Sequence, residues 1–200
     1  MSDTLRPGSP LPETLPDGYF DDVYAAHDDP WGFETSPYEA AKYERTLLAL
    51  TRERYGSALE IGCSIGVLSA RLAGRCDHLL ALDVSQQALE RARIRCADLS
   101  QAHFERRRLP QQFPAGQFDL VVASEVLYYL SHSDLQATLE RCVAALQPGG
   151  ELLCVHWTPQ VHDYPQTGDE VHAAVLALPG LIAVHAERHP QYRLDLFKRS

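Results

Sequence analysis

Residues 58–66, Ala-Leu-Glu-Ile-Gly-Cys-Ser-Ile-Gly, constrain the fold of this 200-residue chain more than any other stretch. The apolar run at 58–61 reads as a buried parallel strand, two glycines four apart follow, and Val67, Leu68 and Leu72 then recur at helical spacing. Glycine suits a turn where φ must be positive or where a ligand nears the backbone. The helix start behind it offers unpaired N–H groups and a positive dipole end, where a carboxylate or phosphate can sit. The next apolar run, 79–82, leads into Asp83, 21 residues beyond Gly62. An acid at that position can accept bonds from both hydroxyls of a ribose, as in nucleotide-binding α/β folds.

A dinucleotide fingerprint would read G-x-G-x-x-G. Here Ser64 stands at the second glycine position, Val67 stands where the last glycine would be, and Glu60 sits at the strand end. The pattern Glu60-x-Gly62-x-Ser64-x-Gly66 resembles motif I of class I S-adenosylmethionine (SAM)-dependent methyltransferases, usually E/D-x-G-x-G-x-G, with serine for the middle glycine.

Along the chain, residues 1–18 hold four prolines and few apolar residues, the expected signature of a disordered or loosely packed arm before a single domain over 19–200. Short helices are expected at 19–26 and after Ser36-Pro37-Tyr38-Glu39, a capping-box sequence whose helix carries Tyr43, Leu47 and Leu50. Helices are also expected after Ser85, at 134–146 and after the capping box Thr167-Gly168-Asp169-Glu170. A weak edge strand is expected at 103–109, a strongly buried one at 118–124, a fifth at 151–157, and a closing antiparallel hairpin at 181–187 and 192–198. Alternating strands and helices imply a parallel sheet covered on both faces, with ligands at the carboxyl ends of the strands. The formal net charge of −9 argues against a nucleic-acid partner, which would call for a basic surface. Five cysteines without metal-ligand spacing read as core residues of a reducing compartment, and no metal is expected. No signal peptide or membrane-length apolar run is seen, so the expectation is a cytoplasmic protein.

The resemblance extends beyond motif I. Residues 118–127, Phe-Asp-Leu-Val-Val-Ala-Ser-Glu-Val-Leu, look like motif IV, and Leu146-Gln147-Pro148-Gly149-Gly150 looks like the segment written L-x-P-G-G. Three further stretches, 29–39, 124–130 and 163–172, resemble the nodulation protein S (NodS) N-methyltransferases. The resemblance implies a Rossmann-like class I methyltransferase fold: seven strands, mostly parallel with one antiparallel, and helices on both faces. It also implies SAM as cofactor, S-adenosylhomocysteine (SAH) as product, and a small-molecule acceptor, an amine of an amino sugar or chitooligosaccharide.

On that reading the backbone of Gly62, Ser64 and Gly66 holds the methionine end, Glu60 attracts its ammonium and Asp83 takes the ribose diol. No acid follows the third strand, so adenine is expected against Val84 and Leu109, with Ser124 nearby and Trp31 and Tyr38 forming a lid. Glu125, His156 and Asp163 are the candidate groups for managing the amine proton, and Tyr129, His162 and Tyr164 for holding the acceptor. Two other readings are a nicotinamide-dependent oxidoreductase, which the missing glycine and Glu60 disfavour, and a module that holds SAM without turnover.

Overall fold

The computed structural model describes residues 13–200. Most of the 1–18 arm therefore lies outside the described residues. Its last part departs from the expected looseness: the Leu15 N–H donates to the Tyr129 carbonyl at 2.9 Å, and Thr14 Oγ1 accepts from the Ser131 N–H at 2.8 Å.

Helices α1 (Asp17–Ala26) and α2 (Pro37–Ala49) precede the alternating core. The core runs β1 (Tyr55–Ile61), α3 (Val67–Ala73), β2 (Cys76–Asp83), α4 (Gln86–Arg95), β3 (Ala102–Arg106) and β4 (Phe118–Ser124). A 3-10 turn at Leu127–Tyr129 follows, then α5 (His132–Ala145), β5 (Leu146–Trp157), α6 (Gly168–Leu176), β6 (Leu181–Arg188) and β7 (Tyr192–Arg199). The sheet order is β3-β2-β1-β4-β5-β7-β6, and β7 alone runs against its neighbours. The expected seven-stranded sheet with one antiparallel strand is thus present. Among the described residues no helix is long and apolar enough to cross a membrane.

Period-two side-chain alternation splits the core between the two sheet faces. Leu59, Val121, Leu152 and Cys154 pack with Leu135 and Leu139 of α5 and Val171 and Val175 of α6. Ala58, Leu120, Val122, Leu153 and Val155 pack on the other face with Leu68 and Leu72 of α3 and Tyr43 of α2. The strand order reverses direction between β1 and β4, so their connections diverge and leave a crevice at their carboxyl ends.

Local signals decide the element ends. Ser36 and Thr167 each accept the backbone N–H three residues on. The Thr167 box is reciprocal, whereas Glu39 turns away from Ser36 to pair with Lys42, so only half of the first box forms. α5 stops at Ala145, and the Pro148-Gly149-Gly150 segment belongs to the start of β5, where the register against β4 shifts.

Candidate active site

A cavity of about 330 Å³ opens at the β1/β4 switch point. Its floor is Ile61, Gly62, Ser64 and Asp83; Val84, Arg107, Arg108 and Leu109 form one end; Glu125 and Tyr128 to Leu130 form the other. Phe20, Tyr24, Trp31 and Phe33 roof it, with Thr14 and Leu15 at the edge. The roof is tied to the α/β body by ion pairs of one sense: Asp17 with Arg108, Asp28 with Arg91, and Glu34 with Arg95.

The glycine turn is built as the strand–turn–helix reading required. Gly62, Ser64 and Gly66 all have positive φ, at 76°, 51° and 79°. A Cβ on Gly62 would lie 2.6 Å from Val126 Cβ, so only glycine admits the motif after β4 so close to the turn. Gly66 has a packing role: it does not line the cavity, and a Cβ there would meet Ala92 of α4 at 2.9 Å. Four of the turn's N–H groups are engaged within the protein. The amides of Gly62 and Cys63 donate to the Leu82 carbonyl, that of Gly66 to Cys63, and that of Ser64 to Asp83 Oδ2 at 2.8 Å. Asp83 Oδ1 also takes the Ser85 N–H at 2.9 Å. Each carboxylate oxygen keeps further acceptor capacity on the cavity side. Burial pushes the Asp83 carboxyl upward in pKa, against those backbone bonds.

Glu60 lies behind Gly62 in a smaller space walled by Tyr43, Cys63 and Ser124. It is buried, its Oε2 has no hydrogen-bond partner, and burial, reinforced by Asp83, pushes its carboxyl up to about 8. Ser69 acts in the opposite direction, lowering it. A buried acid with one unpartnered oxygen beside a ligand-sized cavity fits a site that receives a cation.

Tyr24 was not legible as a site residue. Its hydroxyl is 2.5 Å from Ser64 Oγ, and its ring meets Trp31 edge-on, so α1 holds the serine that replaces the middle glycine. Tyr24→Phe is expected to weaken SAH binding by about 1 kcal/mol, roughly fivefold, through loss of that bond. Calorimetric titration of parent and variant measures it, and equal affinities would remove Tyr24 from the site.

At the opposite end stands a buried charge cluster. Glu125 adopts φ 55°, which swings its side chain toward α2. Its Oε1 accepts from Lys42 Nζ at 2.6 Å; its Oε2 accepts from Tyr128 Oη at 2.7 Å and the Trp157 N–H at 2.8 Å. Lys42 is also 2.9 Å from Glu39. Burial pulls the Lys42 ammonium down, but the Glu125 and Glu39 carboxylates outweigh it and hold it above the usual lysine range. Glu39, Lys42, Tyr43 and Thr46 form the buried face of α2. That i, i+3, i+4, i+7 spacing was the available signal for Lys42, obscured because the residues are charged.

The remaining sequence expectations divide. Trp31, Ser64, Asp83, Val84, Leu109, Ser124, Glu125, Tyr129 and Tyr164 reach the main cavity, and so does Trp157. Tyr38 does not: its ring packs against Trp157 and Tyr192, 5.4 Å from Lys42 Nζ. His162 and Asp163 are exposed, because the turn closed by the Tyr164 N–H on the Val161 carbonyl sends 161 and 164 inward and the two between outward. His156 is fully buried beneath α6 on the sheet face shared with Cys154. Its Nε2 accepts the Leu127 N–H at 3.3 Å, and its Nδ1 is 3.2 Å from His172 Nε2, whose Nδ1 is 2.8 Å from Asp195. Burial and His172 hold the His156 imidazole well below its usual pKa range. Neutral and engaged at both nitrogens, it has no access to a proton in the cavity.

The NodS family model, nodulation protein S, matches residues 22–161. Nodulation protein S of Bradyrhizobium diazoefficiens is 36% identical over 130 residues, 64% of this chain and 62% of that protein. Nodulation protein S of Rhizobium tropici is 32% identical over 130 residues, 64% of this chain and 55% of that protein. The chain thus matches less than two thirds of the length of either relative. The crystal structure of the N-methyltransferase NodS from Bradyrhizobium japonicum in complex with SAH superposes with a TM-score of 0.83 at 26% identity, covering 92% of this chain and 98% of that one. The fold is the class I SAM-methyltransferase fold, and the chain belongs to the NodS family.

Proposed function

We propose that the protein is a SAM-dependent N-methyltransferase acting on the free amine of a small molecule, an amino sugar or chitooligosaccharide-like compound. The observation that carries the cofactor half is Glu60, a buried acid with an unpartnered oxygen behind a glycine turn, with Asp83 at the end of the next strand. Glu60 would hold the α-ammonium, Asp83 the ribose hydroxyls, and Val84 and Leu109 the adenine faces. SAM supplies an activated methyl group, so the protein's share is alignment, exclusion of water and the protonation state of the acceptor.

The acceptor half draws on family membership and on the far end of the cavity. Tyr128, Tyr129 and Tyr164 pack there as a mutually edge-on and stacked group, with ring centroids 4.7–5.2 Å apart. Aromatic walls can stack on a sugar ring, and they disfavour a fully solvated ammonium, which favours the neutral amine that carries a usable lone pair.

Titration with SAM, SAH and NAD, followed by a methyl-transfer screen over amino sugars, chitooligosaccharides and other amines, tests the reading. SAM and SAH are expected to bind and NAD not to; SAH is expected to accumulate with an amine sugar. Tight NAD binding without a SAM signal would overturn it, and SAM binding with no acceptor in any amine class would leave the non-catalytic module as the better account.

A further inference from the structure

Glu125 already receives three donors, from Lys42, Tyr128 and the Trp157 backbone, so its approach from the cavity is crowded. Tyr128 lines the same cavity, is 5% exposed, and donates its one hydroxyl proton to Glu125 Oε2 at 2.7 Å. A phenolic oxygen that donates one bond can still accept another. We propose that the Tyr128 hydroxyl is the group that meets the acceptor ammonium and relays its surplus proton to Glu125. The inference rests on the reading of the acceptor as an amine.

The step balances. One ammonium N–H bond breaks and its electron pair stays on nitrogen as the lone pair. The proton forms an O–H bond with Tyr128 Oη while the original Tyr128 proton passes to Glu125 Oε2. Amine, tyrosine and Glu125 all end neutral. After the product leaves, Glu125 returns the proton to water through the same hydroxyl.

The charge count of the cluster favours this route. Two carboxylates, Glu39 and Glu125, share one ammonium, Lys42, so the cluster carries one negative charge in excess. When Glu125 takes a proton, Lys42 and Glu39 remain a matched pair and no buried charge is stranded. Tyr128 stays a neutral carrier throughout: burial and Glu125 push its phenol well above the usual range, which disfavours a free phenolate.

The groups around Tyr128 differ in what they can accept. From α2, Tyr38 and Tyr43 carry their protons and Lys42 is held protonated. Glu39 also lines the cavity and burial pushes its carboxyl upward, but it lies against Lys42 at 2.9 Å and makes no hydrogen bond to Tyr128. Tyr129 is held protonated by burial and Tyr164. From β5, His156 meets the Tyr128 ring edge-on at 5.4 Å but is engaged at both nitrogens. Tyr164 stacks on Tyr128 at 5.2 Å and accepts the Tyr129 hydroxyl at 3.4 Å.

The test uses the full chain, SAM, and fully deacetylated chitotetraose as the amine probe. Tyr128→Phe is expected to lower kcat by roughly 10²-fold near pH 5, where the amino-sugar amines of the probe are protonated, but only a few-fold near pH 9, where they are already deprotonated in solution. Glu125→Gln should give the same shape. Because the two residues act in series, the double variant should be no slower than the slower single variant. Unchanged SAH affinity in each variant shows that the fold and cofactor pocket persist. Infrared difference spectra on adding chitotetraose to the enzyme–SAH complex should show a new carboxylic-acid band in the parent and none in either variant. A loss constant across pH, multiplicative losses in the double variant, an acid band persisting in Tyr128→Phe, or weakened SAH binding in that variant would each overturn the relay. If the parent binds SAH yet does not methylate the probe, the amine-sugar reading fails and the relay falls with it.

Discussion

Glu60→Gln is expected to weaken SAH binding by about 10²-fold, or ~2–3 kcal/mol, and to flatten its pH dependence. In the free protein the Glu60 carboxyl is pushed up to about 8 by burial, so at neutral pH it is mostly protonated. An ammonium brought beside it favours the carboxylate and lowers that pKa, so binding releases a proton. Affinity should therefore rise with pH, by up to roughly tenfold per unit, and level off above about pH 8, with glutamine removing both rise and proton release.

The same group affects stability with the opposite sense. Its folded pKa lies above the unfolded value of 4.5, so its contribution is fully present below that pH and is lost as pH rises through about 8. SAH should restore the loss. Calorimetry in buffers of different ionisation enthalpy, with melting curves across this window, measures both effects. A pH-independent affinity in the parent would remove Glu60 from the ammonium site.

Lys42→Met is expected to be the most destabilising single substitution at the far end of the cavity. It leaves the buried Glu39 and the partly buried Glu125 near one another with no cation between them. Removing one partner from a buried ionic cluster costs about 3–5 kcal/mol, which for a chain of this size lowers Tm by roughly 6–20 °C. The variant should recover as the pH falls, because a proton on one carboxylate replaces the missing cation. Adding Glu39→Gln to Lys42→Met should return a large part of the loss, since only the partly exposed Glu125 carboxylate then remains. Thermal melts of the parent and both variants decide the matter. A Lys42→Met protein as stable as the parent at neutral pH would mean that water reaches the cluster and screens it.

Local sequence determined whatever depends on chain neighbours and on period. The strand–glycine turn–helix at 58–72, the Asp at the end of β2, the buried run of β4, the capping residues Ser36, Ser85 and Thr167, and the terminal hairpin each have their cause within about ten residues. Alternation of strands and helices then fixed the class of sheet, and the crevice followed from its switch point.

Packing across the molecule decided the rest. The packing demand on Gly66 has no sign in the sequence: α4 lies 2.9 Å from where its Cβ would be. His156 stands at the end of a strand, a position that in sequence reads as catalytic, but strand alternation turns it under α6, onto His172. Tyr24, Lys42 and Tyr128 come from three elements separated by up to 104 positions and meet the cavity only because α1 and α2 fold over the strand ends. A charged side chain on an amphipathic helix reads as solvent-facing because burying an ion alone is unfavourable. Lys42 is buried because Glu39, one turn back on α2, and Glu125, 83 positions away, both supply compensating charge, and the second partner exists only in the folded chain.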